Sequence, residues 1–511
     1  MVRHIEQFAQ FELSYRVQGQ DPGFAGVLSA RFEHESGHAM TVKGFYDGDA
    51  TYRIRFMPTL TGRWTFAVES AMALGGETSG EITAVAGAIP GRLRVDPKHP
   101  HHMLFENDQR FYLLGNTAYN LISSYRAHPD EADEFLEFYA ARGINWVRFF
   151  LSQILTLETG QGVVWPWGGT FEAPDYSTFS LETFRLAERA LAKLADLGNV
   201  ASVILLHPLD KCMIELDKRH SSAEKLAIVH RYFDYVLARL GSYWNVVWNI
   251  ANEWALGDSF RAGEVDAAAR YLDEKDPYQR LTACHNYARF EFGFEPWADI
   301  SSIQHRGLPH EVNAVARVNR AYFKPVINEE YGYEGDNFGP PSDATNVRRD
   351  HWALAMAGAY GAYGEKTRGY KRGGYFASTL KVAINPQGPS FLPHIRTIME
   401  KVPYWEMSPC NEYLRCLVPE QAFCLARPGR EYVVYTCVGQ EVVLWLVDVL
   451  GASVAYEWWN PRTGEMVDSG HKEFVNTDSA KLSYEDRRWG RFMPPDWEND
   501  WVLIVRNPER F

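Results

Sequence analysis

The 511-residue sequence predicts an α/β protein, in which a (β/α)8 TIM barrel is flanked by an N-terminal and a C-terminal β-sandwich. Two observations support this fold class. Short apolar runs alternate with helical patterns in the middle of the chain, whereas both ends show strand patterns separated by turn residues. We expect the domains to span residues 1–95, 96–404 and 405–511.

The N-terminal region reads as short strands with alternating apolar residues. Strands are predicted within Phe11–Tyr15, Thr51–Phe56 and Trp64–Val68. Residues 94–100 contain Pro97 and Pro100, which suit neither a helix nor a central strand, and they therefore indicate a linker.

The barrel prediction rests on a count of apolar runs. Eight of them can form parallel strands, and eight is the number that closes a barrel. The candidates are Phe111–Gly115, Trp146–Phe150, Val200–Leu206, Val246–Ile250, Leu281–Cys284, Ile300–Ile303, Pro325–Asn328 and Ala359–Tyr363.

Two of the intervening helices have clear start and stop signals. Ser180 precedes an apolar stripe that ends at Gly198, and Ser221, with Glu224 three residues later, precedes a second stripe that ends at Gly241. After residue 405 the strand pattern returns at 432–435 and 442–447, followed by a turn at 460–464.

Composition excludes several classes of partner. A net charge of −13 disfavours nucleic acid, because phosphate binding needs a basic surface. No run of ~18 apolar residues suggests a membrane span, and no leader pattern opens the chain, so we expect a cytoplasmic protein. The six cysteines lack a CxxC pair, which favours reduced thiols without a metal or another cofactor. The sequence allows a homo-oligomer.

Two glutamates carry the chemistry of the predicted site. Glu253 follows the fourth apolar run and Glu330 follows the seventh. Catalytic groups of such barrels lie at the carboxyl ends of the strands, so both side chains should face one cleft. Cleavage of a glycosidic bond needs two carboxyl groups, of which one protonates the leaving oxygen and the other attacks or stabilises the sugar cation.

Other polar and aromatic side chains follow the predicted strands and could hold a sugar. Hydroxyl groups would be bound by the polar members of this set, and the aromatic rings could stack on a sugar ring or pack the loops. The candidates for substrate binding are Asn116, Tyr119, Arg148, Trp167, His207, Asn252, Trp254, His285, His305 and Tyr331. The three histidines either contact sugar or orient the carboxyl groups.

These motifs resemble those of the retaining glycoside hydrolases of clan A. Asn252-Glu253 and Glu330-Tyr331-Gly332 are similar to the clan's motifs after strands four and seven. The segments 114–119, 324–327 and 331–335 look like those of the apiosidase-like group, and 44–48 and 459–464 are similar to its flanking β-domains. The resemblance implies that Glu253 is the acid/base and that Glu330 is the nucleophile.

The glutamate after strand seven is doubled, which leaves a choice. Neighbours in a strand point to opposite faces, so only one of Glu329 and Glu330 can face the cleft. The clan's order of glutamate, aromatic and glycine favours Glu330. Glu334 is then a loop or substrate-binding residue.

The expected mechanism is a double displacement that cleaves a terminal sugar from a short oligosaccharide or glycoside. Glu253 is expected to be protonated, with a pKa raised by Trp254 and by the charge of Glu330, while Arg148 keeps Glu330 ionised. Retention requires the carboxyl groups to lie ~5 Å apart. Asn252 is expected to bind the hydroxyl next to the anomeric carbon.

Two alternatives use the same residues differently. A metal-dependent hydrolase could bind zinc through His207, His285, His305 and Asp210, although the first strand lacks the paired histidines of such sites. A non-catalytic carbohydrate-binding barrel is the other alternative, and the presence of both glutamates argues against it.

Overall fold

The computed structural model describes residues 3–152, 164–335, 342–366, 380, 385–446, 449, 453–473 and 489–508. Two β-sheets form the N-terminal region. The first contains, in spatial order, Arg3–Glu6, Ser79–Val85, Gly62–Ser70, Leu28–His34 and Ala39–Lys43; the second contains Phe45–Tyr46, Thr51–Phe56, Phe11–Val17 and Leu74–Gly75. Alternate residues of Phe11–Val17 are buried, as the sequence pattern predicts.

Eight parallel strands form the central barrel, which confirms the predicted fold class. They are β1 (Gly115–Thr117), β2 (Trp146–Phe150), β3 (Val200–Leu206), β4 (Val246–Ala251), β5 (Thr282–Ala283), β6 (Ser301–Ile303), β7 (Val326–Asn328) and β8 (Tyr360–Tyr363). The strands neighbour one another in the order β5-β4-β3-β2-β1-β8-β7-β6, and a parallel bridge between Ala283 and Ile300 joins the two ends.

The first strand is the one whose position was predicted wrongly. Phe111 belongs to a small antiparallel sheet of Leu93–Val95, Met103–Phe105 and Arg110–Phe111, which occupies part of the expected linker. The barrel strand begins at Gly115 and includes Asn116 and Thr117, both fully buried. Their polarity made them look like a loop, because the sequence does not show that they enter the barrel interior.

Nine α-helices occur in the described residues, most of them around the barrel. They are α1 (Leu121–Ala127), α2 (Pro129–Ala140), α3 (Leu181–Asp196), α4 (Lys211–Arg219), α5 (Ser222–Leu240), α6 (Ala262–Lys275), α7 (Pro309–Asn319), α8 (Ala344–Met356) and α9 (Leu392–Met399). The predicted caps of α3 and α5 are confirmed: Ser180 accepts from the Thr183 N–H, and Ser221 forms a capping box with Glu224. None of the described helices is long and apolar enough to cross a bilayer.

The described part of the C-terminal region contains two antiparallel sheets. One contains Ser408–Pro409, Ala422–Arg427, Glu431–Thr436, Trp501–Arg506, Ser453–Trp459 and Met466–Glu473; the other contains Leu414–Arg415, Val442–Trp445 and Trp489–Phe492. The predicted strand over 442–447 ends at Trp445, and Val447 lies outside the described residues. A hairpin of Trp167–Gly169 and Pro174–Phe179 follows β2.

Buried ion pairs attach both flanking regions to the barrel helices. Arg239 of α5 lies 2.8 Å from Asp47 of the N-terminal region. Arg348 of α8 lies 2.8 Å from Asp500 of the C-terminal region, and both side chains are buried. Separating the two charges of such a pair would leave each of them buried without its partner. These contacts therefore hold the flanking sheets against the barrel helices.

Candidate active site

Glu330 lies two residues after β7, and its carboxyl group is surrounded by hydrogen-bond donors. Tyr119, which follows β1, donates its hydroxyl to Oε1, and Arg148 Nη1 from β2 lies 3.3 Å from the same oxygen. Oε2 accepts a hydrogen bond from Gln304 Nε2 at 3.1 Å and lies 3.6 Å from Arg306 Nη2. Both oxygens are therefore oriented by groups on or beside three other barrel strands.

Glu329 points into the barrel interior instead. Its Oε2 lies 3.1 Å from Arg148 Nε, accepts from Asn249 Nδ2 at 3.2 Å and also accepts from the Ser302 hydroxyl. Its N–H donates to the Ile303 carbonyl at 3.0 Å, which extends the strand ladder by one residue. This arrangement suits a structural role for Glu329, whereas the carboxyl group of Glu330 lies beside Tyr119, Gln304 and Arg306.

Glu253 follows β4 with an unusual backbone conformation. Its φ is 44°, in the left-handed region, where a residue with a side chain costs ~1–3 kcal/mol. The carbonyl of Glu253 accepts the Leu256 N–H at 2.8 Å, which closes the turn. The side chain is 20% exposed, against 4% for Glu330. Strain of this kind clusters at functional sites, and here it brings the carboxyl group toward the mouth of the barrel.

His207 is the closest basic group to Glu253. Its Nε2 lies 3.7 Å from Glu253 Oε2, while its Nδ1 accepts the Leu209 N–H at 3.0 Å. Because Nδ1 acts as an acceptor, a neutral ring carries its proton on Nε2, facing the carboxylate. His207 therefore orients Glu253, which is one of the two roles that the sequence left open for it.

The pKa order of the two carboxyl groups is the reverse of the sequence prediction. Burial raises the pKa of Glu330, and the charge of Glu253 raises it further against the opposing effects of Arg148 and Arg306. Burial also acts to raise the pKa of Glu253, but the hydrogen bond and charge of His207 and the Gln304 amide outweigh it, and the net pKa is lowered. A proton shared by the pair therefore favours Glu330 in this geometry.

Gln304 and the two carboxyl groups are neighbours. The Gln304 amide donates to Glu330 Oε2 at 3.1 Å, and it contributes to the lowered pKa of Glu253. The charge of Glu253 contributes to the raised pKa of Glu330, so the two glutamates, 77 residues apart in the sequence (330 minus 253), lie close enough to interact.

Asn252, which follows β4, and Asn116, which belongs to β1, are both fully buried. Asn252 Oδ1 accepts from Arg148 and from the Tyr119 hydroxyl at 3.3 Å. Its amide NH2 group is thereby oriented by Arg148, as a contact to a sugar hydroxyl requires. Asn116 Oδ1 is buried and has no hydrogen-bond partner among the described residues.

The three predicted stacking aromatics pack against protein. Trp167 is 1% exposed and lies against Tyr176 and Tyr232, with ring centroids 5.5 and 5.0 Å away, which favours the packing role over stacking on a sugar. Tyr331 is buried edge to face against His351 at 4.8 Å, which leaves no free ring face for a sugar. Trp254 is half-buried against Phe292 at 5.7 Å.

The remaining histidines differ from each other. His285 is fully buried, lies 3.9 Å from Glu330 Oε1, and has no hydrogen-bond partner for either ring nitrogen in the described parts of the chain. Burial first, and then the charges of Arg148 and His207, place its pKa well below the usual range, so it is a neutral ring suited to a hydroxyl ligand. His305 faces away, toward Glu311 of α7, because its neighbours Gln304 and Arg306 face the site.

Sequence reasoning missed Gln304, Arg306 and Tyr333. The Arg306 guanidinium lies over the Tyr333 ring at 4.8 Å, and burial followed by the charge of Glu330 raises the pKa of the Tyr333 hydroxyl. His305 drew attention as the ionisable residue after β6. Side chains alternate in direction along an extended chain, and this signal could have pointed to Gln304 and Arg306 in place of His305.

The residues of the zinc alternative do not converge. His207 faces Glu253 and His285 faces Glu330, whereas Asp210 caps α4 through the Cys212 N–H and accepts from Ser152. Within the described ranges, no group of three or more His, Cys, Asp or Glu side chains is arranged to hold a metal ion.

A second pair of carboxyl groups lies beyond β7 and β8, where Glu334 and Glu365 form a parallel bridge. Glu334 accepts the N–H groups of Gln387 and Gly388 at 2.9 Å each, and so it anchors a loop. Glu365 accepts from the Tyr139 hydroxyl, and burial, opposed by that hydrogen bond and aided by the charge of Glu334, raises its pKa to about 8.

Glu365→Gln is expected to stabilise the protein at high pH. Because the folded state holds this proton up to about pH 8, while an unfolded glutamate releases it near pH 4.3, the free energy of unfolding falls across this window as pH rises. Glutamine cannot ionise, so the variant should gain ~2–4 kcal/mol at pH 8 and almost nothing at pH 4. Thermal unfolding at both pH values measures this; an equal shift at both, or the same shift for the exposed Glu498→Gln, would contradict it.

Three family models match the chain. A model described as "Apiosidase-like, catalytic domain" matches residues 98–406, a domain of unknown function matches residues 4–71, and a "Putative collagen-binding domain of a collagenase" matches residues 418–506. The first match covers more than half of the chain. None of the curated proteins compared with the chain matches it.

Solved structures share the fold over most of the chain. A "putative glycoside hydrolase" from Bacteroides vulgatus is 24% identical, with a TM-score of 0.80 over 99% of this chain and 100% of that one. A family 5 glycoside hydrolase from the same organism is 18% identical, with a TM-score of 0.66 over 83% of this chain and 95% of that one. At these identities the similarity establishes the fold.

Proposed function

The chain belongs to the apiosidase-like family of glycosidase catalytic domains, and on that premise we propose that it is a retaining glycoside hydrolase with Glu330 as nucleophile and Glu253 as acid/base. One observation carries the proposal: Tyr119, Arg148 and Gln304 hold the carboxyl group that follows β7, and the carboxyl group that follows β4 lies close enough for its charge to act on it. A double displacement requires two neighbouring carboxyl groups, one as nucleophile and one as acid/base.

The surroundings of Glu330 support its role as nucleophile. Tyr119 and Gln304 donate to its two oxygens, and Arg148 and Arg306 place positive charge beside them. Three hydrogen-bond donors, Tyr119, Gln304 and Arg148, and the nearby charge of Arg306 fix the carboxylate before the sugar arrives, which is the preorganisation that covalent catalysis needs. Glu253, more exposed and beside the rim, is better placed to reach the leaving oxygen.

The first step forms an ester. A carboxylate oxygen of Glu330 attacks the anomeric carbon while Glu253 transfers its proton to the glycosidic oxygen; the bond from carbon to that oxygen breaks, and the alcohol leaves. In the second step Glu253 takes a proton from water, the resulting hydroxide oxygen bonds to the anomeric carbon, and the ester bond to Glu330 breaks.

Substrate binding has to reverse the pKa order for the first step. A leaving group placed over Glu253 removes the remaining water from this partly exposed carboxylate, which raises its pKa. Positive charge developing at the anomeric carbon favours ionised Glu330 at the same time. Esterification of Glu330 then removes its charge, which lowers the pKa of Glu253 and prepares it to act as a base.

We propose that the site accepts a terminal sugar. Glu330 is buried, with the Tyr119 hydroxyl and the His285 ring beside its Oε1, and such an enclosed carboxyl group is typical of a pocket rather than of an open cleft. Asn252, held by Arg148, is placed to bind the hydroxyl next to the anomeric carbon, and His285 and Asn116 offer further unpaired polar atoms within the described site.

A panel of nitrophenyl glycosides tests the proposal. The panel covers furanosides and pyranosides in both anomeric forms, and it is assayed with the wild type and with Glu330→Ala. We expect hydrolysis of at least one glycoside by the wild type, with the product first released in the anomeric configuration of the substrate, as read by NMR. Release of the opposite anomer would contradict retention, and sugar binding without hydrolysis would indicate a non-catalytic barrel.

A further inference from the structure

Large apolar side chains are exposed on one side of the mouth of the barrel. Leu209 follows β3, Leu256 follows β4 and Tyr287 follows β5, and they are 43%, 43% and 45% exposed. These three strands are neighbours in the barrel, so their loops share one sector of the rim. Scattered exposed apolar residues are ordinary, but one on each of three adjacent loops is a patch.

The contacts of these loops place the patch around Glu253. Leu256 donates its N–H to the Glu253 carbonyl at 2.8 Å. The Tyr287 carbonyl accepts the Gln304 backbone N–H at 3.3 Å. The pKa of the Tyr287 hydroxyl is raised mainly by burial and next by the charge of Glu253. The backbone of Leu256 is thus bonded to the proposed proton donor, and the backbone of Tyr287 to that of Gln304.

Leu209 completes the patch through a close approach between two loops. A Cβ at Gly257 would lie 3.3 Å from Leu209 Cδ2 and 3.5 Å from Pro208 Cβ, so the glycine allows the loop after β3 to pack on the turn that contains Leu256. The leucine side chain remains 43% exposed in spite of this contact. The packing therefore holds an apolar side chain at the surface rather than burying it.

We propose that this patch, formed by Leu209, Leu256 and Tyr287, binds the leaving group of the substrate, and that the leaving group is an apolar aglycone rather than a further sugar. The inference rests on the proposed role of Glu253, because the group that receives its proton must lie next to that carboxyl. An aromatic or aliphatic aglycone would cover two leucines and the face of a tyrosine ring.

The chemistry of the patch distinguishes between the two kinds of leaving group. A sugar ring could stack on Tyr287, but its hydroxyl groups would lose water against Leu209 and Leu256, which offer no hydrogen-bonding side-chain atoms. An apolar aglycone loses no hydrogen bonds there and gains burial of its surface. An aglycone over this patch would also shield Glu253 from water, as the first step requires.

The test uses binding of an aglycone alone. 4-Methylumbelliferone is titrated by equilibrium dialysis into wild type, Leu209→Ser/Leu256→Ser and Leu417→Ser, which changes a leucine in the C-terminal region that is 76% exposed. We expect the dissociation constant to rise about five- to tenfold in the double variant and to stay at the wild-type value in Leu417→Ser. Equal affinity of all three proteins, or no binding to the wild type, would overturn the inference.

A second measurement links the patch to turnover. For the sugar found with the nitrophenyl panel, the ratio of kcat/KM for the octyl glycoside to that for the methyl glycoside should fall about five- to tenfold in the double variant. An unchanged ratio would overturn the inference. If no glycoside of the panel is hydrolysed while the dialysis difference persists, the proposed hydrolase function fails and the apolar site stands.

Discussion

Glu330→Ala is expected to lower kcat/KM by about four to six orders of magnitude, because no neighbouring carboxyl group can replace the nucleophile. The fold should survive. Burial raises the pKa of Glu330, so removing this carboxyl relieves a desolvation cost, although Arg148 and Arg306 lose a partner. The thermal midpoint, measured beside the kinetic constants, should change by only a few degrees.

Azide separates loss of the nucleophile from general damage. In Glu330→Ala the small anion can enter the space of the missing carboxylate and attack the anomeric carbon, giving a glycosyl azide of inverted configuration. Glu329→Ala is the matched control, since Glu329 contacts Arg148, Asn249 and Ser302 inside the barrel. That variant should lose activity through displaced Arg148 and should not form the azide product. Rescue of Glu329→Ala instead would reverse the assignment.

Glu253→Gln should affect substrates according to their leaving groups. An alkyl glycoside needs the proton that Glu253 supplies, so its kcat/KM should fall by about two to four orders of magnitude. The first step of a 2,4-dinitrophenyl glycoside needs no acid, so its kcat/KM should fall by about tenfold at most. Equal losses for both substrates would contradict the acid role. Tyr287→Phe, a change beside the same carboxyl, should affect both substrates alike.

The pH dependence of the same variant checks the coupling of the two carboxyl groups. The charge of Glu253 contributes to the raised pKa of Glu330. Glutamine removes that charge, so the rising limb of kcat/KM for the dinitrophenyl glycoside should move to lower pH. For the alkyl glycoside, the falling limb of the wild type reports loss of the acid's proton, and this limb should disappear in the variant. A rising limb that stays at its wild-type position would show that the two groups titrate independently.

The positions of Glu253 and Glu330 after barrel strands explain why these two residues could be found in the sequence. Asn252-Glu253 stands out because it follows the apolar strand β4, and Glu330 because it follows β7. Strand order and spacing in a barrel bring such positions to one face regardless of the intervening residues. The left-handed φ of Glu253 was not predictable, since the sequence shows an ordinary glutamate there.

Side-chain direction limits what the sequence can show. Trp167 was expected at the sugar, yet it fills a gap between the hairpin after β2 and α5, where Tyr232 lies. Gln304 and Arg306 lie beside Glu330, whereas the sequence had predicted that His305, between them, belongs to the site. A sequence gives residue types at a strand end, but the twist of the barrel decides which of them faces inward.

The electrostatics could not be predicted because they depend on distances. Trp254 was expected to raise the pKa of Glu253, but its ring packs on Phe292, and His207 and Gln304 lower the pKa instead. His207 belongs to β3 and Gln304 follows β6, so no local pattern connects either residue with Glu253. The pKa values of the two carboxyl groups therefore depend on contacts that exist only when the barrel has closed.

The central claim, that Glu330 is a nucleophile in a double displacement, is tested most directly by trapping the covalent intermediate. The wild type is incubated with the 2-deoxy-2-fluoro dinitrophenyl glycoside of the sugar that the panel identifies, and the labelled peptide is sequenced by mass spectrometry. We expect one fluorosugar per chain, esterified to Glu330. A label on Glu329, Glu334 or Glu253, or hydrolysis of the panel substrate to the opposite anomer without any label, would contradict it.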